Sequence, residues 1–474
     1  MPDFAPASAE IALLVLACTV LVVDVLLPPE KREWTYWLSQ ISLVVTGYYL
    51  IEAYATPGIT FSGSFKLDTL AMVLKLTVLA MAFFVFAYSR KYLVDRNLAK
   101  GEYYLLGLFA VLGMLILVSA ASLLTIYLGL ELLSLSLYAM VALQRDSSVA
   151  SEAAMKYFVL GALASGMLLY GMSMLFGATG TLNIDGIAEV IKSVKSTDKV
   201  LILGTVFVVV GIAFKLGAVP FHMWIPDVYQ GAPSSVTLFI ATAPKLAGFA
   251  MLIRLLAEGL GGVHQHWQDM LIIMAVLSMA IGNVVAIAQT NIKRMLAYST
   301  IAHVGFLFLG VIPGTAESYA AALFYSIVYA VMALGAFGLV VILSRKGVEA
   351  EEIESFAGLN ARHPLYAFMT LVIMLSMAGV PPFLGFWAKW NVLREVVADG
   401  MVWLAIVAVV FSIIGLFYYL RVARMVYFEP ATDEAAIEDS RGVRVLMGLN
   451  GLFIIGLGVV PSGLLVICRQ AFAS

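Results

Sequence analysis

Lys215-Leu-Gly217-Ala-Val-Pro220-Phe221 and Ala378-Gly379-Val-Pro381-Pro382-Phe383 are the two stretches that decide the fold. Each puts glycine, a short gap and Pro-Phe in the middle of a long apolar run. Proline removes an intrahelical hydrogen bond and splays the helix, so each run reads as a helix broken in mid-span. The runs are the seventh and twelfth apolar segments of the chain. An offset of five is odd, so the second copy enters the membrane from the opposite side. Spans 4–8 and 9–13 therefore read as inverted repeats, the arrangement in which secondary transporters place ion sites at discontinuous helices.

The surrounding composition requires lipid. Of 474 residues, 62% are hydrophobic and 12% charged. A soluble domain carries about 25% charged and about 45–50% apolar residues. Runs of about 20 apolar residues span a bilayer as helices, and fourteen are expected: roughly 8–28, 34–54, 67–89, 103–120, 122–143, 154–178, 199–229, 233–258, 268–289, 295–312, 316–344, 364–398, 400–428 and 444–468. The expected fold is an all-α polytopic membrane protein of about 14 transmembrane helices with two inverted five-helix repeats. Its regions are an N-terminal three-helix unit (1–100), the first repeat (101–260), the second repeat (261–430) and a C-terminal helix (431–474).

Lys and Arg crowd the odd-numbered connections, 16 against 6 in the even-numbered ones and termini (Lys66, Lys192, Lys195, Lys199, Arg394, Arg469). By the positive-inside rule the odd connections are cytoplasmic and both termini lie outside. Met1–Glu10 holds no Lys or Arg, so the first run reads as a retained span rather than a cleaved signal. A formal net charge of −2 gives no basis for nucleic-acid binding. Cys18 and Cys468 stand far apart with no CxxC, so the chain alone cannot ligate an iron–sulfur cluster. No phosphate-binding glycine loop is present, and any redox chemistry belongs to partners.

Charges inside the spans carry the functional reading. A charge at the bilayer centre costs about 2.5–3.5 kcal/mol on insertion scales, so intramembrane charges are paired, hydrated or functional. Glu131 lies in mid-span 5, on one helical face with Tyr127, Ser134 and Tyr138. Lys215 stands five residues before Pro220. Burial favours a neutral lysine and a nearby carboxylate favours a charged one. A Glu131–Lys215 pair of variable separation is then a proton switch; a static brace is the alternative. Lys245 follows Pro244 in span 8, too deep to reach either surface easily. His303 in span 10 lies in the repeat-equivalent of Glu131's span, one turn from Ser299, and ionises near neutrality. Lys389 lies seven residues beyond Pro382, where snorkelling competes with a role at the break. Lys156, four residues after Glu152, and His222, near the first break with Asp227, are secondary candidates. Lys75 is expected to snorkel or to meet a neighbouring subunit. The acidic stretches Glu349–Glu354 and Asp433–Asp439 are expected to be solvated loop faces.

These residues also carry a family resemblance. Pro220-Phe-His222-Met-Trp224-Ile-Pro226-Asp227-Val-Tyr229-Gln-Gly231-Ala-Pro233 resembles the signature of the antiporter-like subunits of respiratory complex I, the proton-translocating NADH:quinone oxidoreductase. Gly129-Leu-Glu131-Leu-Leu-Ser134, Lys293-Arg294-Met-Leu-Ala-Tyr298-Ser299 and Ala357-Gly358-Leu-Asn match in the same order, over nearly the whole chain. The resemblance implies that Glu131 pairs with Lys215, Lys245 links the halves, His303 continues the path and Lys389 is the terminal exchange lysine. Family members differ at span 12, and this chain resembles the member with lysine there and no long lateral C-terminal helix. Members often carry proline where this chain has Ser136. The resemblance further implies a multisubunit translocase whose FMN, iron–sulfur clusters and quinone sit in partner subunits, with other membrane subunits as neighbours. A subunit of a multisubunit cation/proton antiporter, or a structural spacer whose charges only fix packing, are the competing readings.

Overall fold

The computed structural model describes residues 3–193, 198–431 and 440–473. Lys195 and the acidic run 433–439 lie outside the described residues. Among those described, eleven helices are long and apolar enough to cross a membrane. The other three expected spans fall short for visible reasons. Glu33–Ala53 buries Thr35, Ser39, Gln40, Ser42 and Thr46 along its inner face. Ile292–Leu309 carries Lys293, Arg294, Ser299, Thr300 and His303. The twelfth is divided into Pro364–Ala378 and Leu384–Ala398.

Both predicted breaks are present and are built alike. The half-helices Lys199–Leu216 and Pro364–Ala378 each end on a glycine with positive φ, Gly217 at 82° and Gly379 at 86°. A left-handed residue closes the last turn, which L side chains resist and glycine does not. The two N–H groups at each end fold back on one carbonyl: Gly217 and Ala218 to Ala213, Gly379 and Val380 to Leu375. Freed backbone must still be satisfied where water is scarce. Ser278 accepts from the Val219 N–H at 2.9 Å, and Ser376 accepts from the Gly385 N–H at 3.0 Å. After the break the halves differ, eight residues in Trp224–Gly231 against fifteen in Leu384–Ala398.

A third break was not expected. Span 8 is divided at Thr242 (φ −109°, ψ −97°) into Ser234–Ala241 and Ala243–Leu252, and it ends in the π-helical Ile253–Gly259. Pro244 opens the second piece, where its missing N–H costs nothing. The C-terminal span is also two helices, Arg441–Val459 and Ser462–Gln470, parted at Pro461. The helix Leu123–Val141 instead runs on through Ser136, whose hydroxyl bonds back to the Leu132 carbonyl at 2.7 Å.

Glycines show the repeat at residue level. A Cβ on Gly113 would meet the Leu133 N and Gly129 O at 2.5 and 2.9 Å. One on Gly282 would meet the Ala302 N and Tyr298 O at 2.6 and 2.8 Å. The first two helices of each repeat thus press backbone to backbone at one register, as small residues allow in membranes. That register sets Gly113 against Gly282, Gly129 against Tyr298 and Leu133 against Ala302. Carried along the helix, it sets Thr300 against Glu131 and His303 against Ser134.

The N-terminal unit joins the first repeat through a hairpin, Gly58–Thr60 with Phe65–Leu67, whose second strand bridges to Ala120; Ser122 in turn bridges to Asn183. Beside it Arg254, fully buried, makes a bidentate contact with Asp68 at 2.7 and 2.8 Å and binds Glu258 at 2.6 Å. Burial would raise the Asp68 carboxyl, but Arg254, the Ala71 N–H and Lys66 hold it at about 2. Lys75 does not snorkel. It is wholly buried and pairs with Glu10 of the first helix at 2.5 Å. The stretch from Glu349 is solvated only in part: Glu352 and Glu354 are exposed, as expected, whereas Glu349 and Glu351 are half-buried. Glu349 accepts from Tyr92 at 2.8 Å and Glu351 pairs with buried Lys293 at 2.7 Å, because both carboxylates lie under the helix ends they join.

Candidate functional site

Glu131 opens the site. Its helical stripe faces inward onto span 6, as the spacing predicts. Ser165 on the Ser148–Thr179 helix donates to the Glu131 carboxylate, and its hydroxyl oxygen lies 3.3 Å from that of Tyr127. Tyr138 packs edge-on against Tyr157, with ring centres 4.6 Å apart. Lys215 is 9% exposed, and its ammonium donates to Ser134 at 2.9 Å. Glu131 and Lys215 therefore face one shared cavity, with Ser134 on the Lys215 ammonium. That cavity, about 20 Å³, is lined by both residues with Ser134, Tyr138, Ser165 and Trp224. A volume of this order admits about one water.

Lys245 comes next. Its ammonium donates to the Leu216 carbonyl at 2.7 Å, the last one of the half-helix before Gly217. A helix C-terminus carries partial negative charge, so the carbonyl end acts as counter-charge. The Trp224 ring lies 5.6 Å from the same ammonium, and its indole N–H donates to Phe214 at 2.9 Å. A second cavity of about 20 Å³ is lined by Leu216, Lys245, Thr300, His303, Tyr325 and Tyr329 among others. It joins the end of the first repeat's broken helix to the second repeat.

His303 is 4% exposed and held at both ring nitrogens, Nδ1 by the Tyr325 hydroxyl at 2.6 Å and Nε2 by Tyr419 at 3.1 Å. Tyr419 also lies 2.5 Å from the Ser299 hydroxyl. Lys389, 8% exposed, does not snorkel. It donates to the Ala378 carbonyl and to Ser412, both at 2.8 Å, with the Phe306 ring 4.9 Å away. Ala378 precedes Gly379 as Leu216 precedes Gly217, so each break has a lysine on its terminal carbonyl.

The secondary candidates lie apart. Lys156 is half-exposed and pairs with Glu152 at 2.8 Å and Asp227 at 2.7 Å, and Asp227 also holds Arg294 at 2.8 Å. His222 sits in the first break, partly exposed. Sequence reading missed Ser165, Tyr325, Tyr419 and Ser412. A lone hydroxyl in an apolar helix carries no signal until its partner from another span is known.

Comparison with known proteins gives the family. Residues 120–415 match the family described as NADH:quinone oxidoreductase/Mrp antiporter, transmembrane. A relative from Thioalkalivibrio sulfidiphilus, NADH-quinone oxidoreductase subunit N, is 56% identical, over 100% of this chain and 99% of its own length. A chain of respiratory complex I from Thermus thermophilus superposes with a TM-score of 0.84 at 31% identity, covering 97% of this chain and 98% of its own. A chain of the Mrp complex from a Dietzia species superposes at 0.83 with 20% identity, covering 99% and 96%, a likeness of fold.

Proposed function

Because the chain belongs to the family of NADH:quinone oxidoreductase and Mrp antiporter membrane subunits, we propose that it works as subunit N of a bacterial NADH:quinone oxidoreductase and translocates protons. Fold alone would not separate this from an Mrp-type antiporter, since both groups share it. The 56% identity to a subunit N over the whole chain favours the oxidoreductase.

One observation carries the mechanism: Glu131, Lys215, Lys245 and His303 line two neighbouring cavities from the first repeat to the second, and Lys389 lies beyond them at the second break, its ammonium 4.9 Å from the Phe306 ring that stacks on Tyr325, the partner of His303. Glu131 and Lys215 line the first cavity, Lys245 and His303 line the second, and Trp224, which lines the first, has its ring 5.6 Å from the Lys245 ammonium. The residues differ in kind, so a proton can be held and passed by carboxylate, amine and imidazole in turn. FMN, iron–sulfur clusters and quinone lie in partner subunits, which supply the driving energy. Moving one charge against 100 mV takes about 2.3 kcal/mol. A neighbouring membrane subunit applies that energy by changing the Glu131–Lys215 separation, and with it how firmly the lysine holds its proton. The reading places the chain in the inner membrane with both termini periplasmic. It takes 1–100, 101–260, 261–430 and 431–474 as its working regions.

Glu131→Gln keeps the shape and removes the charge. In inside-out vesicles supplied with NADH, proton uptake per NADH oxidised is expected to fall about tenfold, the worth of one charge-assisted contact. Full uptake by an assembled variant complex would reject the relay.

A further inference from the structure

We propose that Ser412 is a positioning residue for Lys389, the hydroxyl that lets this amine release and regain a proton without moving. The inference rests on the relay reading above and names a partner that it does not contain. Lys389 has two close polar contacts, the Ala378 carbonyl and the Ser412 hydroxyl, both at 2.8 Å. They are not chemically equivalent. A carbonyl only accepts, whereas a serine hydroxyl both donates and accepts. An ammonium offers donors to both partners. A neutral amine still has N–H groups for the carbonyl, but it also exposes a lone pair that needs a donor.

Ser412 supplies that donor. When Lys389 is charged, Ser412 accepts from it and turns its own O–H toward the Ala378 carbonyl, 3.5 Å away. When Lys389 is neutral, the same O–H rotates to the amine. No heavy atom need move: one torsion turns the hydroxyl hydrogen from the carbonyl to the amine. A further neighbour, the Phe306 ring at 4.9 Å, offers a π face that attracts the cation and gives the neutral amine no donor.

The other relay lysines set this arrangement in context. Lys215 also lies on a hydroxyl, Ser134 at 2.9 Å. Lys245 has the acceptor-only Leu216 carbonyl and the Trp224 ring. The lysines at the two ends of the row thus share a hydroxyl partner that the middle one does not have among these contacts. Ser412 also shares a face of the Val402–Phe428 helix with Tyr419, two turns further on, which holds His303. One helix therefore carries hydroxyls to both of the last two stations.

The test is a set of isosteres in the intact complex. Ser412→Thr keeps the hydroxyl, Ser412→Val keeps threonine's shape without it, and Ser412→Ala is a second hydroxyl-free variant. Proton uptake per NADH oxidised is read in vesicles, normalised to assembled complex, beside Lys389→Ala. The expected result is near-normal uptake for Ser412→Thr. Both hydroxyl-free variants should lose on the order of fivefold, the range of a single hydrogen bond. Equal uptake by Ser412→Thr, Ser412→Val and Ser412→Ala, with Lys389→Ala defective, would overturn the role of Ser412 and leave the relay standing. Full uptake by Lys389→Ala would remove the relay itself, and this proposal with it.

Discussion

The two repeats share a scaffold but not its charges. Both pack their first two helices through glycine at one register, break a later helix at a left-handed glycine and lay a lysine on the carbonyl before it. Yet the position of Glu131 is held in the second repeat by Thr300, and that of Lys215 by Met377, two residues before Gly379. Ser165 donates to Glu131 in the first repeat, while Tyr329 donates to Thr300 at 2.7 Å in the second. The second repeat instead has His303 where the first has Ser134, and a lysine on the far arm of its own break. The break is therefore a general carbonyl-presenting device, and chemistry is assigned to it by which side chains surround it.

That contrast can be pressed at the breaks. Alanine at Gly217 or Gly379 forces a left-handed residue, which costs about 1–2 kcal/mol. At Gly217 the new Cβ would also sit 1.8 Å from Ile225 Cδ1, whereas at Gly379 it meets the flexible Lys389 side chain at 2.8 Å. Gly217→Ala should therefore destabilise by about 4 kcal/mol with overpacking included, and Gly379→Ala by less than half of that. Thermal unfolding of the purified complex and its yield would measure both, and equal effects would show that the breaks are not loaded differently.

Met377→Lys puts the first repeat's amine into the second. With no acid at Thr300 it should cost about 3 kcal/mol, the insertion penalty for an uncompensated charge. Adding Thr300→Glu should recover part of the lost assembly. A double-mutant cycle with no coupling would show that the two repeats do not share the register assigned from their glycines. The first repeat is also pinned from outside by Asp68 on Arg254. The Asp68 carboxyl is held at about 2, below its ordinary value of about 3.9. Its contribution is fully present above pH 4 and is lost as pH falls through about 2. Asp68→Asn should cost about 2 kcal/mol at neutral pH. The gap from the parent in detergent-solubilised unfolding should close as the pH approaches 2.

What the amino-acid order reveals follows the range of the physics. The breaks at Pro220 and Pro382 are local events, written in glycine and proline within a few residues. The depth of Glu131, Lys215, Lys245, His303 and Lys389 follows from counting residues along apolar runs. Partnerships are not local. Lys75 reads as a snorkelling lysine because Glu10 belongs to another helix near the start of the chain. Glu349 and Glu351 read as solvent-facing because Tyr92 and Lys293 are brought over them by packing. The break at Thr242 had Pro244 beside it as a signal, but proline two residues into a helix opens one as readily as it interrupts one.

The smallness of the two chambers has a consequence for insulation. At about 20 Å³ each, they have no room for a metal cation wearing its shell of waters. A hydrogen ion needs no such berth, because it travels as a rearrangement of bonds. On the relay proposed above, the narrowness that would make it go hand to hand would also keep the membrane from discharging through the protein.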